Sequence, residues 1–122
     1  MASVLVIEDD PQNCHLIKTL LEVEGYYVKA VHNIASAWHV LEQELPDLIC
    51  CDLILPGTSG LDFLANRGKI SGLIEVPIVA VTGQNEHKDE AEKLGVSAFL
   101  LKPFAMRQLL SAVESALVEL QP

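Results

Sequence analysis

The feature that most constrains this chain is a repeated switch between two apolar periods. Short runs rich in β-branched residues alternate with segments whose apolar residues recur at helical spacing, and the pattern occurs five times. The predicted strands are residues 4–7, 27–31, 48–51, 77–81 and 98–101. Such alternation predicts a parallel sheet with helices on both faces, because each right-handed crossover between parallel strands needs a helix.

The ends of the first two helices carry recognisable signals. Asp10 is a suitable N-cap for the first helix, and Gly25 ends it. Asn33 is a suitable N-cap for the second helix, whose apolar stripe runs to Leu45 before Pro46 interrupts it. These signals place both helices in the intervals between predicted strands.

The remaining helices differ in how many apolar residues they offer. We expect a short third helix with Leu61, Leu64 and Ala65 facing inward, after a turn cluster at residues 56–60. The fourth helix, about residues 86–94, is highly charged and has few apolar residues. The fifth has apolar residues at regular helical spacing as far as Leu120, although Ala105 before it has no capping side chain.

The length fits one domain, which we place at residues 1–122. A chain of this length buries about two-thirds of its unfolded surface, enough for one core. The fold class is therefore α/β: a (βα)5 doubly wound, flavodoxin-like domain whose five parallel strands are expected in the order 2-1-3-4-5. Half of the residues are apolar, but no apolar run approaches the roughly 18 residues of a membrane span.

Charge and cysteine content narrow the possible partners and locations. The net charge of −9 argues against a nucleic-acid surface, which needs clustered Lys and Arg. No basic segment precedes an apolar stretch, so no secretory signal is predicted. The three cysteines are an odd number and suggest no disulfide framework. We therefore expect a cytoplasmic protein that binds neither nucleic acid nor membrane.

Polar residues with chemical potential follow four of the five predicted strands. Glu8 and Asp9 follow the first strand, Asp52 the third, Thr82 the fourth and Lys102 the fifth. In a parallel sheet these ends meet at one edge, where ligands bind at the point of strand-order reversal. In the expected order that point lies between strands 1 and 3, the two strands that end in carboxylates.

This set of side chains suggests phosphoryl transfer. Three crowded carboxylates repel one another unless they bind a cation or share protons. A set of carboxylate ligands favours a hard ion, Mg²⁺ before Zn²⁺. A metal, a lysine and a hydroxyl around a carboxylate make a site in which Asp52 is the nucleophile and forms an acyl phosphate.

Four segments of the chain resemble the receiver domain of two-component response regulators. They are the acidic opening at residues 4–11, the phosphoacceptor segment at 46–60, the switch-threonine strand at 79–83 and the lysine–proline segment at 99–104. They occur in the family's order, and each of the four places a polar group at a strand end. The resemblance implies a signalling phosphoacceptor and no enzyme with a substrate of its own.

The resemblance also implies a metal site and a phosphate donor. Asp52 matches the phosphorylated residue, and Glu8 and Asp9 match the acidic pair that binds Mg²⁺ together with Asp52 and the backbone carbonyl of Ile54. The implied donor is a histidine kinase or a phosphotransfer protein.

Further positions match the family's switch. Thr82 matches the hydroxyl that turns toward the phosphoryl group, Phe99 the aromatic residue that turns inward, and Lys102 the counter-ion. The bond between Lys102 and Pro103 matches a cis peptide. The implied output is an altered protein-binding face, formed by the fourth helix, the fifth strand and the fifth helix, toward an unidentified downstream protein.

Three other functions fit the sequence less well. A small phosphohydrolase of the haloacid-dehalogenase type needs Asp-x-Asp on the first strand and a cap domain, and the segment Glu8-Asp9-Asp10 lacks that spacing. A flavodoxin-type flavin module needs a phosphate loop of Ser, Thr and Gly after the first strand, where this chain has acids. A degenerate receiver that only docks other proteins is disfavoured by the intact set of five polar residues.

Overall fold

The strands form a single parallel sheet, as predicted. The computed structural model describes residues 2–55, 57 and 59–118. Its strands are β1 (Ser3–Ile7), β2 (Tyr27–Val31), β3 (Leu48–Asp52), β4 (Ile78–Thr82) and β5 (Ala98–Leu101). They lie in the order β2-β1-β3-β4-β5, and every neighbouring pair is parallel. The predicted fold class and strand order are confirmed.

Five helices connect or follow the strands. They are α1 (Pro11–Val23), α2 (Ile34–Gln43), α3 (Gly60–Ala65), α4 (Lys88–Lys93) and α5 (Met106–Val118). Short 3-10 turns occupy Arg67–Lys69, Leu73–Glu75 and Asn85–His87. The predicted continuation of the last helix to Leu120, and Pro56 and Thr58 of the turn cluster, lie outside the described residues. None of the described helices is long and apolar enough to cross a membrane.

Side chains cap the starts of α1 and α2 as the sequence indicated, and a further side-chain bond forms at the start of α5. The Asp10 carboxylate accepts a hydrogen bond from the Gln12 N–H at 3.1 Å, and the Asn33 side chain accepts one from the Ser36 N–H at 2.8 Å. At the start of α5 the Ala105 N–H donates to the Gln108 side-chain oxygen at 2.8 Å. This is one half of a capping box, so the residue three positions on supplies the bond that Ala105 cannot make through a side chain.

The second and third helices differ from prediction in where they end and which face is buried. α2 ends at Gln43 because Leu45 precedes a proline, which disfavours helical backbone at that position. Leu45 still packs against the core. In α3, Phe63 is buried and Ala65 is exposed. On a short helix phenylalanine is the better core residue, because its ring removes more apolar surface from water than the methyl group of alanine does.

The fourth helix is shorter than predicted. A 3-10 turn at Asn85–His87 takes the place of its first turn, and the α-helix covers only Lys88–Lys93. No side chain caps its start, and Ala91 is its one buried residue. Because helical stability in proteins comes mainly from a packed face, a segment with one buried residue forms few turns.

The core lies in two layers, one on each face of the sheet. β3 and β4 are buried along their whole length, as expected for central strands covered on both faces. One layer includes the residues under α2, α3 and α4, where the rings of Trp38 and Phe63 lie 4.9 Å apart. The other lies under α1 and α5. These layers hold β1 and β3 side by side, which positions the acidic residues at their ends.

Candidate functional site

Three carboxylates converge where β1 and β3 end. Glu8 and Asp9 follow β1, Asp52 ends β3, and the two strands pair in register up to Ile7 and Cys51. One oxygen from each of the three carboxylates lies within 4.8 Å of the other two. Glu8 and Asp52 are buried, at 1% and 4% exposure, and Asp9 is half-buried. The predicted acidic cluster is therefore present at the expected edge of the sheet.

Lys102 reaches into this cluster from the last strand. Its backbone N–H donates to the Thr82 carbonyl at 2.7 Å, which fixes the start of the loop after β5. Its Nζ donates to Glu8 Oε1 at 2.8 Å and to Asp52 Oδ2 at 2.9 Å. The peptide bond to Pro103 is cis. With all three carboxylates ionised, one ammonium leaves two negative charges without a partner.

Backbone donors fix the second carboxylate oxygen of Glu8 and that of Asp52. The Ile54 N–H donates to Asp52 Oδ1 at 2.9 Å, and the Asp10 N–H donates to Glu8 Oε2 at 3.3 Å. Ile54 thus touches the site through its N–H, and the metal-binding role of its carbonyl stays a prediction. Asp52 has one oxygen held by the lysine and the other by the backbone, so its carboxylate has a defined orientation.

The side chains of Thr82 and Phe99 make none of the hydrogen bonds that the structure shows within the cluster. Thr82 is fully buried at the end of β4, and its hydroxyl oxygen accepts a bond from the Gln84 N–H at 3.2 Å. Phe99 is half-buried in β5 and packs against the core layer under α2 to α4. Their switching roles remain predictions.

The crowding changes the proton affinities of two groups. Burial raises the pKa of Glu8 from 4.5 to about 7; the Asp52 carboxylate adds to this rise, and Lys102 opposes it. Burial alone lowers the pKa of Lys102, but its bonds to Glu8 and Asp52 outweigh burial and raise it. The cluster therefore favours an additional positive charge, either a proton or a cation.

Two further contacts at the site were not predicted from the sequence, in which Gly60 appears only as part of a turn and His32 has no assigned role. The Gly60 N–H donates to the Leu53 carbonyl at 3.0 Å, and a Cβ at Gly60 would lie 2.6 Å from Leu53 Cα and 2.8 Å from the Asp52 carbonyl oxygen. Only glycine allows α3 to begin this close to the strand that carries Asp52. In addition, His32 Nδ1 lies 3.1 Å from the Glu8 backbone oxygen and donates to it when protonated.

The fold and the site together define a class of protein. It is an α/β domain with an open parallel sheet, whose carboxyl edge carries acids, a lysine and a threonine and can bind a cation beside an anion. The model of the response regulator receiver domain family matches residues 4–114, and the chain belongs to this family. Among curated proteins it is similar to the phosphate regulon transcriptional regulatory protein PhoB of Pseudomonas aeruginosa, at 32% identity over 118 residues, covering 94% of this chain and 51% of that protein. It is also similar to the transcriptional regulatory protein KdpE of Mycobacterium tuberculosis, at 31% identity, covering 95% of this chain and 51% of that protein. The chain thus spans about half the length of these relatives.

Solved receiver domains share this fold and cover 96% to 99% of the chain. The receiver domain of the response regulator 1452 of Francisella is 25% identical with a TM-score of 0.89, covering 99% of this chain and 100% of that one. The receiver domain of the sensor histidine kinase PA1611 of Pseudomonas aeruginosa is 25% identical with a TM-score of 0.87, covering 96% and 98%. That structure has a magnesium ion coordinated in its active-site cleft.

Proposed function

We propose that this chain is a phosphoacceptor switch in which Asp52 takes a phosphoryl group from a histidine kinase or a phosphotransfer protein. The observation that carries the proposal is the environment of the Asp52 carboxylate. It is buried, it lies beside two other acids, and its oxygens are held at 2.9 Å by Lys102 Nζ and at 2.9 Å by the Ile54 N–H. A carboxylate in a fixed orientation beside a cation is suited to attack phosphorus.

The transfer moves one phosphoryl group between two proteins. An oxygen of Asp52 forms a bond to phosphorus, and the bond from phosphorus to the donor's imidazole nitrogen breaks. The nitrogen keeps the electron pair of that bond, and the imidazole leaves as a neutral ring, taking a proton from solvent if its other nitrogen carries none. The product is an acyl phosphate on Asp52, and Lys102 supplies positive charge next to the incoming oxygens.

The residues present fit a magnesium ion. The ligand atoms of Glu8, Asp9 and Asp52 are all carboxylate oxygens, which Mg²⁺ prefers, and they lie within 4.8 Å of one another. A bound Mg²⁺ supplies charge neutralisation for the cluster and for the phosphoryl oxygens. The Ile54 carbonyl is proposed as a further ligand. The magnesium in the PA1611 receiver domain supports this assignment by similarity.

The switch is proposed to use Thr82, Phe99 and Lys102. A phosphoryl group on Asp52 offers oxygens that both the Thr82 hydroxyl and Lys102 can bind, and Thr82 would then give up its present bond to Gln84. The side chain of Phe99, which lies in β5, would then change its packing against the core. The free energy by which phosphorylation shifts the equilibrium between the two states cannot exceed the difference in these contacts between the states.

The proposed output is the face formed by α4, β5 and α5. α4 is almost entirely exposed, and Leu101 and Met106 are apolar and 44% and 40% exposed. These features suit a downstream protein, and the acidic net charge of the chain does not suit nucleic acid. We therefore propose that this domain signals through contact with a downstream protein.

Acetyl phosphate with Mg²⁺ provides the direct test. The purified chain should gain one acid-labile phosphoryl group by intact-mass measurement, and EDTA should prevent the gain. Asp52→Asn should gain none, whereas Asp62→Asn, which changes an exposed carboxylate on α3, should behave as wild type. Absence of a gain in the wild type, or an equal gain in Asp52→Asn, would count against the assignment.

Lys102→Ala separates acceptance from switching. We expect this variant still to be phosphorylated but to lose most of the phosphorylation-dependent change in amide hydrogen exchange across residues 85–101. A full exchange response in the variant would remove Lys102 from the switch.

A further inference from the structure

Arg67 is a buried cation that lies outside the acidic site. It is the first residue of the 3-10 turn that follows α3, and it is only 4% exposed. In the part of the chain that the structure describes, its guanidinium has no carboxylate within ion-pairing distance. Charged groups are rarely buried without compensation, so the compensation here must come from other groups.

The compensating groups are carbonyl oxygens at the ends of two helices. Arg67 Nε donates to the Leu64 carbonyl at 3.1 Å, and Nη2 donates to the Leu94 carbonyl. Leu64 lies in the last turn of α3, and Leu94 is the C-cap of α4. Helix C-termini expose unpaired carbonyls and carry partial negative charge, which a cation stabilises. One guanidinium thus caps two helices and joins them.

The start of α3 is attached to the phosphoacceptor strand. Gly60 packs against the backbone of Leu53 and Asp52 so closely that a Cβ would not fit. Leu61, Phe63 and Leu64 are buried as well. α3 therefore extends as a short, well-packed element from the end of β3 to Arg67.

The two ends of α4 are held very differently. Its start follows the 3-10 turn at Asn85–His87, no side chain caps it, and Ala91 is the only buried residue in the helix. Its C-terminal end has the bond from Arg67, and Gly95 follows with a φ of 91°. The contacts that fix α4 are thus concentrated at its C-terminal end.

We propose that Arg67 is a positioning residue of the switch, which anchors the C-terminal end of α4 to α3 so that phosphorylation changes α4 at its N-terminal end. The part that concerns phosphorylation rests on the proposed function. Arginine donates to the two carbonyls from two different nitrogens of its planar fork, whereas all the donors of a lysine lie on one nitrogen. The N-terminal end of α4 follows Thr82 closely in the chain, so a movement of Thr82 reaches the less constrained end of the helix.

Hydrogen exchange in the unphosphorylated protein tests the anchor directly. Leu94, Gly95 and Val96 donate backbone bonds into the last turn of α4. In Arg67→Met, these three amides should exchange at least tenfold faster while amides of β1 and β3 keep their rates. Lys69→Met, which removes an exposed cation from the same 3-10 turn, should change neither set. Unchanged rates at residues 94–96, or an equal increase throughout the sheet, would overturn the proposal.

Beryllofluoride, which mimics the phosphoryl group, tests the consequence for switching. In the wild type its addition should alter exchange at residues 85–90 and leave residues 94–96 unchanged. In Arg67→Met the response at residues 85–90 should fall by at least half, although Asp52 is still phosphorylated by acetyl phosphate. A wild-type chain that takes up no phosphoryl group would refute the proposed function and leave the exchange test of the anchor valid. Normal phosphorylation with an undiminished response in the variant would refute the anchor alone.

A measurement on the wild type covers the case in which Arg67→Met does not fold. Nη2 of Arg67 donates to the Leu94 carbonyl and the side chain is buried, whereas Arg107 is exposed on α5. By nuclear magnetic resonance, the Nη–H groups of Arg67 should exchange with water at least tenfold more slowly than those of Arg107, with and without beryllofluoride. Equal exchange rates for the two arginines in either state would overturn the proposal.

Discussion

Replacing Glu8 by glutamine removes the charge that the acidic cluster tolerates least. Burial, aided by Asp52 and opposed by Lys102, raises the pKa of Glu8 from 4.5 to about 7. Between these values the metal-free folded protein retains a proton that the unfolded chain has released. Its free energy of unfolding therefore falls as the pH rises through this window, by about 1.4 kcal/mol per pH unit.

Between pH 4.5 and pH 7 the free energy of unfolding falls by about 3 kcal/mol in total. The full decrease applies above pH 7, and there is no decrease below pH 4.5. Solvent screens this effect little, because Glu8 is only 1% exposed. Glutamine has nearly the same shape and never ionises. The free energy of unfolding of Glu8→Gln relative to wild type should therefore rise by about 3 kcal/mol from pH 4.5 to pH 7.

Urea unfolding at a series of pH values between 4 and 8, in EDTA, measures this difference. Trp38 is a suitable fluorescent probe, since its ring packs 4.9 Å from that of Phe63 in the core. Glu42→Gln, which changes an exposed glutamate on α2, is the matched control and should show no such trend. Mg²⁺ at pH 8 should stabilise the wild type more than Glu8→Gln. A difference that does not vary with pH, or that grows toward acid, would refute the reasoning.

Two further predictions concern packing. Gly60→Ala should lower the free energy of unfolding by about 1–3 kcal/mol, because its Cβ would meet backbone atoms that cannot easily move. The control Gly68→Ala, where the space is open, should change this free energy by no more than about 0.5 kcal/mol. Equal effects of the two substitutions in urea titrations would contradict this account. The three buried cysteines should not react with a thiol reagent at pH 8 until the chain unfolds, since burial raises the pKa of Cys50 to about 12 and also raises those of the other two. Rapid labelling of the native protein would show that these thiols are accessible.

The sequence alone determined the order of elements and most of the site. Apolar periodicity is carried by neighbouring side chains, so it predicted all five strands and the parallel sheet. Parallel strands bring their carboxyl ends to one edge, so the sequence alone predicts that Glu8, Asp9, Asp52 and Lys102 lie close together. Boundaries were less accurate where packing outweighed local pattern, as in α3, where Phe63 is buried in place of Ala65.

Only the tertiary structure decided which atoms meet. Lys102 bonds both Glu8 and Asp52, and burial raises the pKa of Glu8 to about 7 although the bond to Lys102 opposes this rise. Both results depend on distances between strands far apart in the chain. The close approach at Gly60 looks like an ordinary turn glycine in the sequence. Arg67 bonds a carbonyl 27 residues away, and such a contact has no sequence signature, because every residue has a carbonyl and only the packing of α3 against α4 selects this one.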